Sequence, residues 1–443
     1  MTSNSSLLKR REFLSLCTSL TLGTAAGCGN RPKESTTAIA PRSDIPLNVA
    51  VAFDGGNRDT EDRVQSIQRA WSAVSEHPLA ITPIAYNRTG SADFAARLLA
   101  QAKKSDVLIF PIALGSELVS ADAITPLSDS FCETVDREHG TLLPGLRNGM
   151  SIFADQTIGL PLGTSLPALL SIDSIGSIES WEDYDGLVAN EWKGRAAEPT
   201  APGWAAAMFL WRAVAIKEWL FDRETLSPLI DTDPYIDRLE QMITTHDRYQ
   251  EKRQRPDQIW SLLVSGSLGG GISWKHNRQA DVEVNVADLP EQSKPPSVLF
   301  DAFATITSLS ANCRQTETAK RFIAWIAGDK SSQSMRNEVF TAATNRILPA
   351  NQATPDSFSD RPSNYDRWLV NRLASPITRP TLQLKNSLQY YTALDREIGR
   401  ALEHEASAKD ALVQTAKTWQ EITDEVGEKK QLRIWNRLQG LSG

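Results

Sequence analysis

The sequence predicts an α/β protein built from two lobes. The chain has 443 residues, more than one hydrophobic core usually serves. Strand and helix patterns alternate after residue 45, which indicates a mainly parallel sheet. An apolar run at 157–172 is interrupted by Pro and Gly, which is typical of an extended crossover between lobes. With 41% hydrophobic and 23% charged residues, most of the chain is expected to fold.

The first 27 residues have the parts of an export signal. Arg10 and Arg11 form a basic stretch of the twin-arginine type, and the apolar run after them is too short to span a bilayer. Small residues then precede Cys28, which resembles the bacterial lipobox, although Ala25 stands where Leu is favoured. We predict an export signal at 1–27 and a lipid anchor on Cys28. The alternatives are a general export signal and an unmodified, released protein.

The part between the anchor and the first strand is a predicted tether. Residues 28–44 are polar, contain Pro and lack periodicity. Alternating patterns follow, which we interpret in order as a strand at 47–53, a helix at 60–77, a strand at 79–86, a helix at 92–103 and a strand at 106–110.

Beyond the crossover the pattern is mostly helical. We predict helices at 203–220, 235–249, 259–268, 316–327, 388–402 and 411–422, a strand or turn at 269–274, and a strand at 297–309 that returns to the first lobe. The predicted division assigns 45–160 plus 285–340 to lobe 1 and 161–284 plus 341–443 to lobe 2.

Charge and cysteine content exclude several classes of function. The formal net charge of −7 argues against a nucleic-acid partner. Cys132 and Cys313 are the cysteines of the globular part; a disulfide is possible there, but two buried free thiols are favoured. The five histidines have no spacing typical of metal ligands, so we expect no metal and no cofactor.

Several short segments, in this order, resemble the extracellular solute-binding proteins of ABC importers, especially the carbohydrate-binding, maltodextrin-binding-like branch. The longest match is the ending at 391–422, which reads YTALDREIGRALEHEASAKDALVQTAKTWQEI. The others are the strand at 47–53, the segments at 106–110 and 124–128, Gly-Leu-Pro at 159–161, Ser-Trp-Glu-Asp at 180–183, the helix at 316–327 and Arg-Ile-Leu-Pro at 346–349. The resemblance implies a periplasmic binding protein fold with discontinuous lobes, hinge segments and an interlobe cleft.

Two tryptophans are the strongest candidates for ligand contacts. In maltodextrin-binding relatives an aromatic residue follows Glu-Pro at a second-lobe helix, and another closes the strand that leads to the hinge. Trp204 follows Glu198-Pro199 at a distance of several residues, and Trp274 closes the Gly-rich strand. Such indole faces can stack on a sugar ring. Core packing is the alternative, and we expect it for the tryptophans on apolar helix faces, namely Trp71, Trp219, Trp325 and Trp419.

Polar candidates come from the loops that follow the predicted strands. Ligands of open α/β sheets meet the loops beyond the carboxyl ends of the strands. Asp54, Asn87 and Arg88 lie in two such loops, and Thr164 lies just past the crossover. They could bind hydroxyl groups or a charge on a ligand. The alternative for each is an ordinary polar loop residue.

The resemblance implies a lipid-anchored, periplasmic or cell-surface binding protein that is a monomer and performs no catalysis. It would capture a small solute, most plausibly a sugar or oligosaccharide, by hinge closure and pass it to the transmembrane subunits of an ABC importer. One alternative is a sensor or scaffold lipoprotein of the same fold. Another is an extracytoplasmic enzyme, which a pair of carboxylates at catalytic spacing in the cleft would favour.

Overall fold

The structure is a computed structural model that describes residues 44–55, 60–90, 93–176, 178–276, 283–291, 297–340, 346–347 and 363–439. The predicted export signal, with Arg10, Arg11 and the anchor Cys28, lies outside the described residues. Those predictions therefore stay predictions.

The strands in chain order are β1 (Leu47–Asp54), β2 (Leu79–Tyr86), β3 (Val107–Pro111), β4 (Ile124–Thr125), β5 (Thr141–Leu142), β6 (Ile152–Phe153), β7 (Gln156–Thr157), β8 (Leu160–Pro161), β9 (Ala168–Ser171), β10 (Ala196–Ala197), β11 (Gly270–Ser273), β12 (Asn285–Ala287), β13 (Val298–Leu299), β14 (Thr305–Ser310), β15 (Arg346–Ile347) and β16 (Thr378–Arg379).

The helices are α1 (Thr60–Ser72), α2 (Phe94–Ala102), α3 (Gly115–Ser120), α4 (Asp129–His139), α5 (Pro144–Leu146), α6 (Trp181–Asn190), α7 (Ala205–Ala213), α8 (Asp233–Arg248), α9 (Pro256–Val264), α10 (Thr316–Gly328), α11 (Gln333–Phe340), α12 (Asn364–Leu373), α13 (Ser387–Leu402), α14 (Ala408–Val426) and α15 (Glu428–Leu438). Short 3-10 turns lie at Ile112–Leu114 and Lys330–Ser332, and a π-helical turn at Arg147–Ser151.

The first sheet has the strand order β2-β1-β3-β14-β4, with β8 paired to β14. Strand β1 runs parallel to β2 and β3, and β14 runs antiparallel to β3. Its helices pack through aromatic side chains, since Trp71 of α1 lies against Phe322 and Trp325 of α10 at centroid distances of 5.2 and 5.1 Å. The carboxyl ends of β1 and β2 are in register, with Asp54 opposite Tyr86, so the loops after them start side by side.

The second sheet has the order β10-β11-β9-β12. All four residues of β9 and all four of β11 are buried. Gly270 is required in β11 because a Cβ there would lie 2.1 Å from the Trp192 ring. The two sheets, each with helices around it, confirm the predicted α/β class. We use "first lobe" and "second lobe" for the parts around the first and the second sheet.

The predicted division into lobes stays a prediction, and the strand pairing bears on two of its boundaries. Strand β12 pairs with β9 in the second sheet, whereas the prediction began the return to lobe 1 at residue 285. Strand β15 pairs with β5, and Arg346 donates to Asp136 and to the Gly140 carbonyl, although the prediction assigned 341–443 to lobe 2. Glu291 still pairs with Arg238 of α8, so we propose that the chain returns to the first lobe between Glu291 and β14 and leaves it after Ile347.

Most predicted elements are present with shifted ends. Helix α1 ends at Ser72 rather than at 77, and α7 ends at Ala213 rather than at 220. Leu220 adopts a left-handed φ of 60°, which a continuing helix does not allow. The predicted strand at 297–309 is divided into β13 and β14. Helix α15 was not predicted; its Trp435 is fully buried against Phe221.

The cysteines and the four tryptophans assigned to the core behave largely as expected. Cys132 and Cys313 are free thiols, but each is half-buried rather than buried. The tryptophans, all at most 8% exposed, are Trp71, Trp219, Trp325 and Trp419. Within the described ranges no helix combines the length and apolar character needed to cross a bilayer.

The buried imidazole of His246 in α8 makes stability depend on pH. Burial is the main cause that lowers its pKa to about 4, and the charges of Lys252 and Arg253 lower it further. An unfolded histidine binds its proton near pH 6.5, so between about pH 6.5 and about pH 4 the unfolded chain holds more protons. Stability from this group is therefore complete above that window and is lost as the pH falls through it.

We expect the free energy of unfolding to fall by roughly 3 kcal/mol over this window because of His246 alone. Urea titrations at several pH values measure it. His246→Gln should flatten the pH dependence, because the buried group whose pKa is lowered is then absent. An equal pH dependence in wild type and His246→Gln would contradict this account.

Candidate ligand site between the two sheets

Arg88 is at the centre of the candidate site. It follows β2 by two residues, and its Nε donates to Asp54 Oδ2 at 2.8 Å. Its two terminal nitrogens donate to the two carboxylate oxygens of Asp301 at 3.2 and 2.5 Å, a bidentate pair. The Arg88 side chain is only 10% exposed. The first-lobe loops thus hold one guanidinium between two carboxylates.

Two aromatic rings enclose this guanidinium. Its central carbon lies 3.5 Å from the centroid of the Trp204 ring and 4.4 Å from that of Phe303. Burial alone would lower the pKa of Arg88, but the charges of Asp301 and Asp54 outweigh it and raise the pKa. Arg88 is therefore permanently charged, and both aromatic contacts are cation–π interactions in a largely dry environment.

The aromatic contacts continue on both sides of Arg88. On the first lobe Phe303 stacks on Tyr86 with ring centroids 5.6 Å apart, and Tyr86 stacks on Phe94 at 4.8 Å. On the second lobe Trp204 lies 5.4 Å from Trp274. We call this series the aromatic ladder; its members are Phe94, Tyr86, Phe303, Arg88, Trp204 and Trp274. Arg88 is its one non-aromatic member and the point where it passes from one lobe to the other.

The backbone before α7 places Trp204 against Arg88. Gly203 has a φ of +85°, which L-residues with a side chain rarely adopt, and a Cβ there would lie 2.6 Å from the Arg88 Cβ. Asp395 of α13 accepts hydrogen bonds from Gly203 N at 2.7 Å and from Ala206 N at 3.1 Å. Burial raises the pKa of Asp395, while these donors oppose that change. Asp395 thus anchors the turn that carries Trp204.

Trp274 follows β11 directly, as predicted. Its ring is 7% exposed and meets Trp211 edge-on at 6.0 Å. The indole Nε1 is buried and has no hydrogen-bond partner among the residues that the structure describes. A buried donor without a partner is costly in a folded protein, and a ligand oxygen would relieve that cost.

Two other predicted residues form local contacts instead. Asn87 is exposed and accepts from Thr89 N at 3.1 Å, which shapes the loop after β2. Thr164 is 6% exposed, and its hydroxyl donates to the Ser165 carbonyl at 3.2 Å. Asp54, Arg88, Trp204 and Trp274 are thus the predicted residues that the structure brings together.

Three residues of the site were not found from the sequence. Asp301 and Phe303 fell inside a predicted strand, where side chains point alternately into two faces; the structure instead has a turn between β13 and β14. Asp395 lies in a helix that the pattern assigned to packing. The one local signal for a loop was the break in the hydrophobic pattern at Asp301. That break does not indicate that Asp301 pairs with Arg88, which lies 213 positions away.

A separate groove lies at the free edge of the second sheet. Its volume is about 440 Å³, and it is lined by β12 together with Ile175, Asn364, Trp368 and Asn371. The Trp368 indole donates to Asp288 Oδ1 at 2.6 Å. Nothing predicted from the sequence lies here, but the groove is an alternative that a ligand-binding experiment has to distinguish. Among the residues described, no cluster of His, Cys, Asp and Glu is suited to a metal ion.

Sequence comparison finds no matching profile of a known protein family and no curated relative. Comparison of the fold does find similar solved structures. Maltose-bound MalE3 of T. maritima has a TM-score of 0.62 and 15% identity, covering 84% of this chain and 100% of that chain. A solute-binding protein of an ABC transporter from Agrobacterium vitis, with bound D-mannitol, has a TM-score of 0.63 and 13% identity, covering 86% and 99%.

The GacH receptor of Streptomyces glaucescens, solved without ligand and with acarbose, has a TM-score of 0.62 and 12% identity, covering 86% and 99%. At such identities the likeness concerns the fold. The chain has the two-lobed fold of periplasmic solute-binding proteins, which confirms the predicted fold class.

Proposed function

We propose that this protein is an extracytoplasmic solute-binding component of an ABC importer that captures a sugar or oligosaccharide between its lobes. The observation that carries the proposal is the meeting of Trp204, from the second lobe, with the polar loops of the first lobe at Asp54 and Arg88. A ligand at this position contacts both lobes at once, and such a ligand favours the conformation in which the lobes meet.

The chemistry of these side chains suits a polyhydroxylated ligand. Trp204 and Trp274 are neighbouring indole rings, 5.4 Å apart, on which the apolar face of a sugar ring would stack once Arg88 leaves Trp204. Asp54 and Asp301 offer carboxylate oxygens, which accept hydrogen bonds from hydroxyl groups. The Trp274 Nε1 offers a donor that has no partner within the described ranges. The structural neighbours in complex with maltose, D-mannitol and acarbose support this class of ligand.

We further propose that the protein acts as a monomer, anchored through acylated Cys28 at the periplasmic or cell-surface side of a membrane. The lipobox-like residues before Cys28 support the anchor, and Arg10 and Arg11 support export. The importer's transmembrane subunits are the proposed partner that distinguishes ligand-bound from free protein. No catalytic step is proposed: Asp54 and Asp301 accept hydrogen bonds from Arg88, and both are assigned to binding.

A thermal-shift screen tests the proposal. Protein beginning near Ser43 is melted with maltose, maltotetraose, D-mannitol and acarbose, and with amino acids, polyamines and ferric ion as other solute classes. Ligand at 100 times its dissociation constant stabilises the folded state by about 2.7 kcal/mol. We expect a raised melting temperature with at least one sugar or sugar alcohol.

Two tryptophan variants make the screen specific. Trp204→Ala should abolish the shift. Trp368→Ala, at the half-buried tryptophan of the separate groove, should keep it. If the melting temperature rises only with amino acids, polyamines or ferric ion, the sugar is contradicted as the ligand and that solute class takes its place. No shift with any solute would contradict capture and would favour the sensor or scaffold.

A further inference from the structure

The ligand-facing surface of Trp204 is covered by a residue of the protein itself. The Arg88 guanidinium lies 3.5 Å from the ring centroid, the distance of direct stacking. The Gly203 backbone lies so close to Arg88 that a methyl group would not fit between them. The lobes are therefore in contact at the place where the proposed ligand would bind.

The contacts of Arg88 are asymmetric with respect to the lobes. Asp54 belongs to β1, and Asp301 and Phe303 precede β14, so the ion pairs and one cation–π contact lie on the first lobe. The Trp204 contact belongs to the second lobe. Separation of the lobes would leave Arg88 fixed to its two carboxylates and break only the stacking on Trp204.

We infer that Arg88 is a latch that holds the cleft closed when no ligand is bound, by stacking on Trp204 as a substitute for the ligand. Fixed by both Asp54 and Asp301, the guanidinium is oriented before the lobes meet, so little conformational entropy is lost on stacking. A ligand must break this one contact to reach Trp204. Arg88 thereby determines how readily the cleft admits a ligand; that consequence rests on the proposed function, whereas the latch itself does not.

Other contacts also join the lobes near the cleft: Asn386 N donates to Glu117 Oε1 at 2.9 Å, and Ser387 Oγ donates to the Ala113 carbonyl at 2.8 Å. Asp54 interacts with the charge of Arg255, but the Arg255 side chain is 54% exposed, so solvent and salt screen the attraction. Gly90 approaches Thr392, where an added Cβ would be 3.4 Å from the threonine methyl group, an ordinary van der Waals distance. Of these contacts, the Arg88–Trp204 stacking is the one that covers the Trp204 ring, so we expect its removal to change the resting conformation at the proposed ligand site.

Ligand-free hydrogen exchange and small-angle X-ray scattering test the latch. The four proteins are wild type, Arg88→Ala, Arg88→Lys and Trp204→Ala, with Arg248→Ala as the control. Arg248 is also an arginine in an ion pair, to Asp185 at 2.7 Å, but it lies outside the site and is 42% exposed. Circular dichroism and cooperative melting establish that each variant is folded.

For Arg88→Ala and Trp204→Ala we expect a larger radius of gyration and at least about tenfold faster exchange of the amides at 201–206 than in wild type. Arg88→Lys, which keeps the charge but loses the planar stacking group, should behave like Arg88→Ala. Arg248→Ala should match wild type.

Equal scattering and exchange in wild type, Arg88→Ala and Trp204→Ala would overturn the latch. A wild-type radius of gyration as large as that of the variants would also overturn it. If Arg88→Ala does not fold, Trp204→Ala still tests the latch, because it removes the same stacking contact by changing the residue on the second lobe. Because no ligand is added, failure of the latch is distinct from failure of sugar binding, which the thermal-shift screen detects.

Discussion

Glu198→Gln is expected to lower the free energy of unfolding by about 3–5 kcal/mol, the largest effect of any single change considered. Glu198 and Arg212 form an ion pair with side chains 1% and 0% exposed, and Arg212 Nε donates to Glu198 Oε2 at 3.1 Å. The guanidinium also lies 4.1 Å from the centroid of the Trp181 ring. Loss of the carboxylate charge leaves a buried guanidinium without its counterion. This unpaired buried charge is what lowers the free energy of unfolding.

Urea unfolding of wild type, Glu198→Gln and Asp185→Asn measures this effect. Asp185 pairs with Arg248 at the surface, so its variant should lose at most about 1 kcal/mol. Replacing both Glu198 and Arg212 by Met should recover part of the stability, because no unpaired charge then remains. A loss below about 1 kcal/mol for Glu198→Gln would contradict the burial of this pair.

Asp395→Ala is expected to cost about 2–3 kcal/mol of unfolding free energy and to weaken ligand binding as well. The Asp395 carboxylate, 8% exposed, serves the backbone N–H groups of Gly203 and Ala206 at the start of α7. Without it these donors have no side-chain acceptor, and the turn that presents Trp204 loses its anchor. Binding should fall because Trp204 is no longer held in place.

Asp395→Asn separates the two effects. The amide retains one oxygen acceptor, so it should lose less stability than Ala, yet its NH₂ group faces a backbone donor and should still disturb Trp204. Urea unfolding gives the stability, and the thermal shift with sugar gives the binding. Full stability and full binding in Asp395→Ala would show that the carboxylate does not anchor the turn.

The local elements of this fold could be predicted from the sequence because their signals are local. Strand β2 has the predicted bounds of 79–86, and α10 differs from its prediction by one residue, since alternation and helical periodicity are marked there. The predicted ends of α1 and α7 were wrong. Helix propensity does not show where tertiary packing stops stabilising a further helical turn. Helix α15 was missed although its Trp435 is a core residue.

The site was predicted only in part, because some of its residues have local signals in the sequence and others act through long-range contacts. Loops after parallel strands indicated Asp54 and Arg88, and aromatic residues at element ends indicated Trp204 and Trp274. Asp301 and Asp395 act over long sequence separations, which no periodic pattern encodes. Asn87 and Thr164 are polar loop residues, as Asp54 and Arg88 are. The sequence does not show which of these side chains points toward the site, because tertiary packing sets the direction of each.

Hydrogen exchange with and without bound sugar is the most direct test of the central claim, that the ligand is held between the lobes at the aromatic ladder. Maltose, maltotetraose and D-mannitol are each added to the wild-type protein at saturating concentration. We expect bound sugar to slow exchange at 86–90, 201–206 and 271–276. Exchange at 285–287 and 364–371, which include the separate groove, should stay unchanged. Slowed exchange confined to 285–287 and 364–371, or no change with any of the three sugars, would contradict it.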